Sequence, residues 1–71
     1  MYKETLEHKL VQKIGQYGIV KTKEQTYLDD GRRFGREHVI YDVCLDGGDG
    51  DIVASFYMLK LARKWAKGEL K

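Results

Sequence analysis

Tyr2-Lys3-Glu4-Thr5-Leu6-Glu7-His8-Lys9-Leu10-Val11-Gln12-Lys13-Ile14 is the stretch whose periodicity sets the architecture. Its apolar residues Tyr2, Leu6, Leu10 and Ile14 recur every four positions with Val11 beside them, which is helical spacing. Gly15 follows and can take the left-handed backbone that ends a helix, and Gly18 adds a second break. The spacing predicts a first helix that stops near residue 15.

Outward from that helix, residues 19–28 hold Ile19, Val20, Thr22, Thr26, Tyr27 and Leu28, which suit a pleated strand. Asp30-Gly31 is a two-residue hairpin signal, and residues 36–45 supply a second strand. On that strand Val39, Tyr41, Val43 and Leu45 share the face expected to enter the core, with His38, Ile40, Asp42 and Cys44 on the other. With Asp30 and Gly31 as the only loop residues, Val20 faces Tyr41, Thr22 faces Val39 and Tyr27 faces Phe34. A bulge at Gly35 would shift this register by one and turn the first strand over.

Residues 46–51, Asp-Gly-Gly-Asp-Gly-Asp, read as a sharp loop whose Asp49 or Asp51 caps a helix beginning near Ile52. Ala54, Met58, Leu61 and Trp65 form one stripe of that second helix, flanked by Ile52, Leu59, Ala62 and Ala66, and Gly68 ends it. The predicted fold class is therefore α+β: helix, antiparallel β-hairpin, helix (αββα), with both helices on one face of the sheet.

A chain of 71 residues and 8.3 kDa, 42% hydrophobic, 34% charged and without proline, has the composition of a folding chain, expected to form one small domain over residues 1–71. A single core of this size supplies only about 3–5 kcal/mol. Pairing of the outer strand edges, or of the wide apolar arc of the second helix, between two copies would enlarge it, so a homodimer is expected. Cys44 stands alone and makes no internal disulfide, and Lys3, Glu4, Glu7, His8, Lys9 and Lys13 interrupt any signal-peptide core, so a cytoplasmic setting is expected. The most apolar run carries Lys60, Arg63 and Lys64 and is too short for a membrane span.

The formal charge of +2 is unevenly spread, at +2 over residues 1–28, −4 over 29–51 and +4 over 52–71. The isoelectric point near 8.7 lies below the value of roughly 9 that marks committed nucleic-acid binders. Among constellations of a kind that carries chemistry, the 46–51 loop clusters carboxylates, but counted from Asp46 or Asp49 it offers glycines and Val53 where a calcium loop needs oxygen ligands. Its glycines precede a helix N-terminus, yet three aspartates repel a phosphate. Cys44, His38 and Asp42 share a strand face, but six residues at about 3.3 Å put His38 roughly 20 Å from Cys44. Zinc needs four ligands, and Cys44, His8 and His38 are the only thiol and imidazoles. No metal or cofactor is implied, and no enzymatic activity is expected.

Two surfaces stand out instead. Tyr27 and Phe34 sit with Arg32, Arg33 and Arg36 around the hairpin tip, and Phe56 and Tyr57 stand among Lys60 and Lys64 on the second helix. Aromatics and arginine are favoured at interface centres. Their plainer roles would be a cross-strand pair that steadies the hairpin and rings covered by the first helix or a second subunit. These surfaces make a non-catalytic protein-binding module the first functional reading. In size and lack of motif the chain is similar in general character to small phage accessory proteins that inhibit host machinery, anti-CRISPR proteins among them; no specific residue carries the likeness. The second reading is a nucleic-acid binder using the basic tip and the helix lysines, with aromatics for stacking. The order helix, strands, helix distantly resembles a double-stranded RNA-binding domain, from which it departs in having Asp49 and Asp51 where that family carries basic residues and no third strand between Leu45 and Ile52.

Overall fold

The computed structural model describes residues 1–70. The chain runs β1 (Tyr2–Ile14), β2 (Tyr17–Tyr27), β3 (Arg33–Cys44), a 3-10 turn at Asp46–Gly48, β4 (Ile52–Phe56) and α1 (Leu59–Ala66). The strands form one antiparallel meander in the order β1-β2-β3-β4. The αββα expectation is thus overturned at both ends, and the likeness to a double-stranded RNA-binding domain falls with it.

Residues 2–14 form a strand by pairing along β2 and not by a shared apolar face, since Tyr2 and Ile14 stand opposite Tyr27 and Tyr17 while Leu10 stands opposite Val20 on the other side; their spacing leaves that strand open. A repeat of four approximates one helical turn and is also an even number, so it satisfies the two-residue period of a strand equally well. Gly15 decides between them. At φ +58 it serves as the first residue of a Gly15-Gln16 hairpin turn joining Ile14 to Tyr17, the type II′ pattern, and the left-handed backbone that would have ended a helix reverses a strand instead. The register with β2 slips between Thr5 and Glu7 and again between Leu10 and Gln12, which leaves Leu6 and Val11 as extra residues of β1.

The second helix starts seven residues later than the sequence suggests, at Leu59 rather than Ile52. Residues 52–56 lack charge and alternate, so Ala54 and Phe56 pair with Val43 and Tyr41 as an edge strand. Met58 occupies the N-cap without a side-chain bond, so neither Asp49 nor Asp51 caps the helix. The inner face of α1 is Leu59, Ala62, Trp65 and Ala66. Trp65 meets Tyr17 edge to face at 5.2 Å.

The β2–β3 hairpin forms, in a different register. Its loop takes in Leu28 to Arg32, and Ile19 faces Val43, Lys21 faces Tyr41 and Thr26 faces Phe34. The Val20–Tyr41, Thr22–Val39 and Tyr27–Phe34 pairings do not occur. Between Glu24–His38 and Thr26–Phe34, Gln25 alone opposes Gly35, Arg36 and Glu37, which makes a wide irregularity with Gly35 at φ +75. Gln25 is 2% exposed, and its Nε2 donates to the carbonyl oxygens of Thr26 at 2.9 Å, Gly35 at 3.3 Å and Phe34 at 3.4 Å. One amide thereby pins the chain where the ladder is broken.

The core lies at one end of a molecule 44 Å long. Ile19, Val43 and Ala62 are fully buried, with Tyr41, Phe56, Leu59 and Trp65 packed around them. Eight helical residues span about 12 Å, whereas strands of this length run about 36–43 Å, so α1 covers only the end near the β1–β2 turn. On the opposite side of the same end the 3-10 turn lies on Gly18, Val20 and Leu10, burying Val20 and Cys44. A Cβ on Gly18 would stand 2.3 Å from the carbonyl carbon of Gly47. Backbone therefore meets backbone there, with the Gly47 amide donating to Gln16 O at 3.0 Å. Gly18→Ala should lower stability by about 1–3 kcal/mol through this overpacking, read as a reduced urea midpoint at unchanged slope. An unchanged midpoint would contradict the contact.

Candidate functional site

Register divides the sheet into two sides. Tyr17, Ile19, Lys21, Lys23 and their partners Val39, Tyr41, Val43, Ala54 and Phe56 lie on the side of α1. The other side carries the rows His8–Thr22–Ile40, Thr5–Glu24–His38 and Lys3–Thr26–Phe34, with Tyr57 following Phe56 at the end of β4. Among the described residues, nothing beyond the 3-10 turn covers this open side. Two adjoining depressions mark it, one of about 190 Å³ bounded by Ile40, Asp42, Ser55, Phe56 and Tyr57, the other of about 220 Å³ bounded by Lys3, Glu24, Thr26, His38, Ile40 and Tyr57. Ile40 and Tyr57 belong to both, so the two form one shallow groove. Each is smaller than the roughly 300–1,000 Å³ of small-molecule pockets, which suits side chains of a partner better than an enclosed ligand.

The two surfaces expected from the sequence are each divided by the sheet and recombined. Tyr57 is 79% exposed on the open side, whereas Phe56 is half-buried on the helix side against the core, and Lys60 and Lys64 stand on α1. At the hairpin tip Phe34 is 52% exposed on the open side. Tyr27 faces the other way, opposite Arg33, and stacks on Tyr2 with ring centroids 5.4 Å apart. Arg32 donates its Nε to Asp30 at 2.7 Å, and Arg36 lies within the irregularity opposite Gln25. Phe34 and Tyr57, which came from different surfaces, thus share one side. Ile40 and His38 lie between them and were missed, because sequence alternation assigned their strand face correctly without showing that nothing would cover it.

The cations are largely on the other side. Glu7 receives Lys9 at 3.0 Å, Lys21 at 3.7 Å and Lys23 at 3.8 Å, and Lys23 also reaches Glu37 at 3.8 Å. The Lys9 hydrogen bond, with the charges of Lys21, Lys9 and Lys23, holds the Glu7 carboxyl below its ordinary value of 4.5 against the opposing effect of partial burial. This network fills the helix side where α1 no longer reaches.

Cys44 is buried, and desolvation followed by the nearby charge of Asp42 raises its thiol above the ordinary 9.0. At neutral pH it is a thiol and not a thiolate, which fits packing better than nucleophilic chemistry. Among the described residues no group of three or more His, Cys, Asp or Glu side chains is arranged to hold a metal ion. No helix among them is long and apolar enough to cross a membrane.

Two measurements check these assignments. Because the Glu7 value is lowered on folding, its contribution to stability is present above the ordinary glutamate value and disappears as pH falls through the lowered one. The urea midpoint of the wild type should drop more steeply below pH 4.5 than that of Glu7→Gln; parallel profiles would exclude the network as the cause. A thiol reagent should label Cys44 slowly in the native state at neutral pH and rapidly in denaturant, and equal rates would contradict its burial. Comparison of the chain with protein-family models, curated proteins and solved structures finds no match in any of the three.

Proposed function

We propose that this chain is a non-catalytic protein-binding module that acts by occupying a partner's surface through the open side of its sheet. The observation that carries the reading is the exposure of Phe34 and Tyr57 on one uncovered sheet face, with Ile40 and a shallow groove between them. Apolar and aromatic side chains left outside a small core are what an interface centre needs, and the surrounding Lys3, Glu24, His38 and Asp42 supply a polar rim. A small inhibitor that blocks a surface of another protein requires nothing more. A reducing compartment such as the cytoplasm suits the single unpaired cysteine.

Charge placement favours a protein partner over nucleic acid. A nucleic-acid binder needs rings for stacking and cations for phosphates on the same surface. Here Phe34 and Tyr57 lie on the open side with Lys3 at the groove and Lys13 by the 3-10 turn, but Lys9, Lys21 and Lys23 are drawn onto Glu7, and Lys60, Arg63 and Lys64 belong to α1 on the opposite side.

The test is affinity capture from the source cell with and without nuclease, using the wild type and Phe34→Ala/Tyr57→Ala. Capture of one protein species that resists nuclease, and a loss of at least about tenfold in its affinity in the double variant with the circular dichroism unchanged, is the expected result. Capture that needs nucleic acid and weakens steeply with salt would replace this reading with the nucleic-acid one. Capture indifferent to the two rings would remove the open side as the site.

A further inference from the structure

The sheet exposes unpaired backbone along three stretches, and they are not alike. The outer edge of β1 is thirteen residues long, carries Lys3, Glu4, Glu7, His8, Lys9 and Lys13, and is interrupted by the extra residues Leu6 and Val11. On β3 only residues 41–44 pair with β4, so the edge at 33–40 is unpaired; it carries Arg33, Arg36, Glu37 and His38 and contains the irregularity at Gly35. Charges and bulges are the devices by which proteins keep exposed edges from pairing with other chains. The outer edge of β4 has one extra residue, Val53, near its start, and no charge at all. Residues 52–59, Ile-Val-Ala-Ser-Phe-Tyr-Met-Leu, form an uncharged run without glycine or proline. In this run Ile52 is 60% exposed, Val53 41% and Met58 56%. A run of that composition on an open edge pairs with a like strand unless something covers it.

We infer that a second copy covers it, the two β4 strands pairing antiparallel about a two-fold axis normal to the sheet. The strand suits its own copy. A two-fold register centred on Ala54 sets the five uncharged residues of β4 against one another, which neither β1 nor the free part of β3 can do. The helix beside the seam is compatible as well. Arg63 leaves α1 toward β1, where its Nε donates to Gln12 Oε1 at 2.6 Å. Lys60 and Lys67 project within about 60° of it, whereas the half-buried Leu61 stands about 160° away, on the opposite flank. The flank away from β1 therefore holds Leu61, with Lys64 about 60° from it, while Lys60, Arg63 and Lys67 gather toward β1, so most of the helix's cations point away from the seam. The fold also has need of the added area. Among the described residues the buried hydrophobics are Ile19, Val20, Val43, Cys44 and Ala62, a small core for a chain of this size. The pairing yields an eight-stranded sheet with both helices on one side and both Phe34–Tyr57 faces on the other, so one dimer presents two docking faces in parallel.

This inference rests on the β4 edge and is tested independently of any partner. Light scattering of the purified full chain across the micromolar range should give twice the mass of 8.3 kDa. Ile52→Lys/Val53→Lys, at two exposed positions, should halve that mass with the circular dichroism unchanged, whereas Leu6→Lys on the β1 edge should leave the dimer intact. Hydrogen exchange of the wild type supplies a readout free of substitutions: amides of β4 should gain protection as concentration rises through the dimerisation range, and those at 33–40 should not. A wild type that remains monomeric, a dimer broken by Leu6→Lys but not by the β4 double variant, or open-ended oligomers from head-to-tail pairing of β4 with β1 would each overturn it.

Discussion

The contact among Ile19, Val43 and Ala62 holds the molecule together. Ile19 and Val43 are paired neighbours on β2 and β3, and Ala62 is the point where α1 touches both strands' face. Ala62 has no side chain beyond Cβ, so the helix approaches closely enough for Leu59 and Trp65 to wrap the two β-branched residues. On the reverse side of the same strands Gly18 lets the backbone of Gly47 and Gly48 settle directly on β2. The sheet is thus held between a helix and a tight turn at one end. There Ile19, Val20, Val43 and Cys44 are removed from water on both faces.

Away from that clamp the long hairpin arms extend with little apolar cover, and polar contacts take over. On the helix side Glu7 gathers three lysines, and at the broken ladder Gln25 satisfies carbonyls that β3 cannot offer to β2. Exposed ion pairs of this kind contribute little individually, whereas a buried amide with three acceptors is costly to remove. The distal half of the sheet is therefore positioned more by Gln25 and the ladder than by charge.

This unequal construction sorts side chains by chemistry. The ion pairs of Glu7 collect on the helix side beyond the reach of α1, and Phe34 and Tyr57 remain outside the thin core on the open side. Tyr57 is placed there by strand alternation, since Phe56 is drawn inward by Tyr41 and the next residue must point outward. Phe34 is placed there by the irregularity at Gly35, which absorbs two extra residues of β3 and so preserves its facing across the gap. An interaction surface arises as a consequence of how the core was filled.

The sequence by itself determined much of the middle of the chain: the β2–β3 hairpin, the inward face of Val43 and Tyr41, the sharp turn after Leu45, and Gly35 as the residue able to shift the register. These depend on local backbone preference and on a two-residue period, both of which act over a few residues. It left the two ends undecided, because a spacing of four at Tyr2, Leu6, Leu10 and Ile14 fits a helix and a strand alike, and the run 52–59 is apolar on every side. Only tertiary structure resolved them. Residues 2–14 could add hydrogen bonds along the whole of β2, and residues 52–56 could cover the flank of Val43, gains that no local periodicity records. The same long-range pairing decided which rings share a face, since a one-residue change in register between β2 and β3 moves every side chain of one strand to the other side.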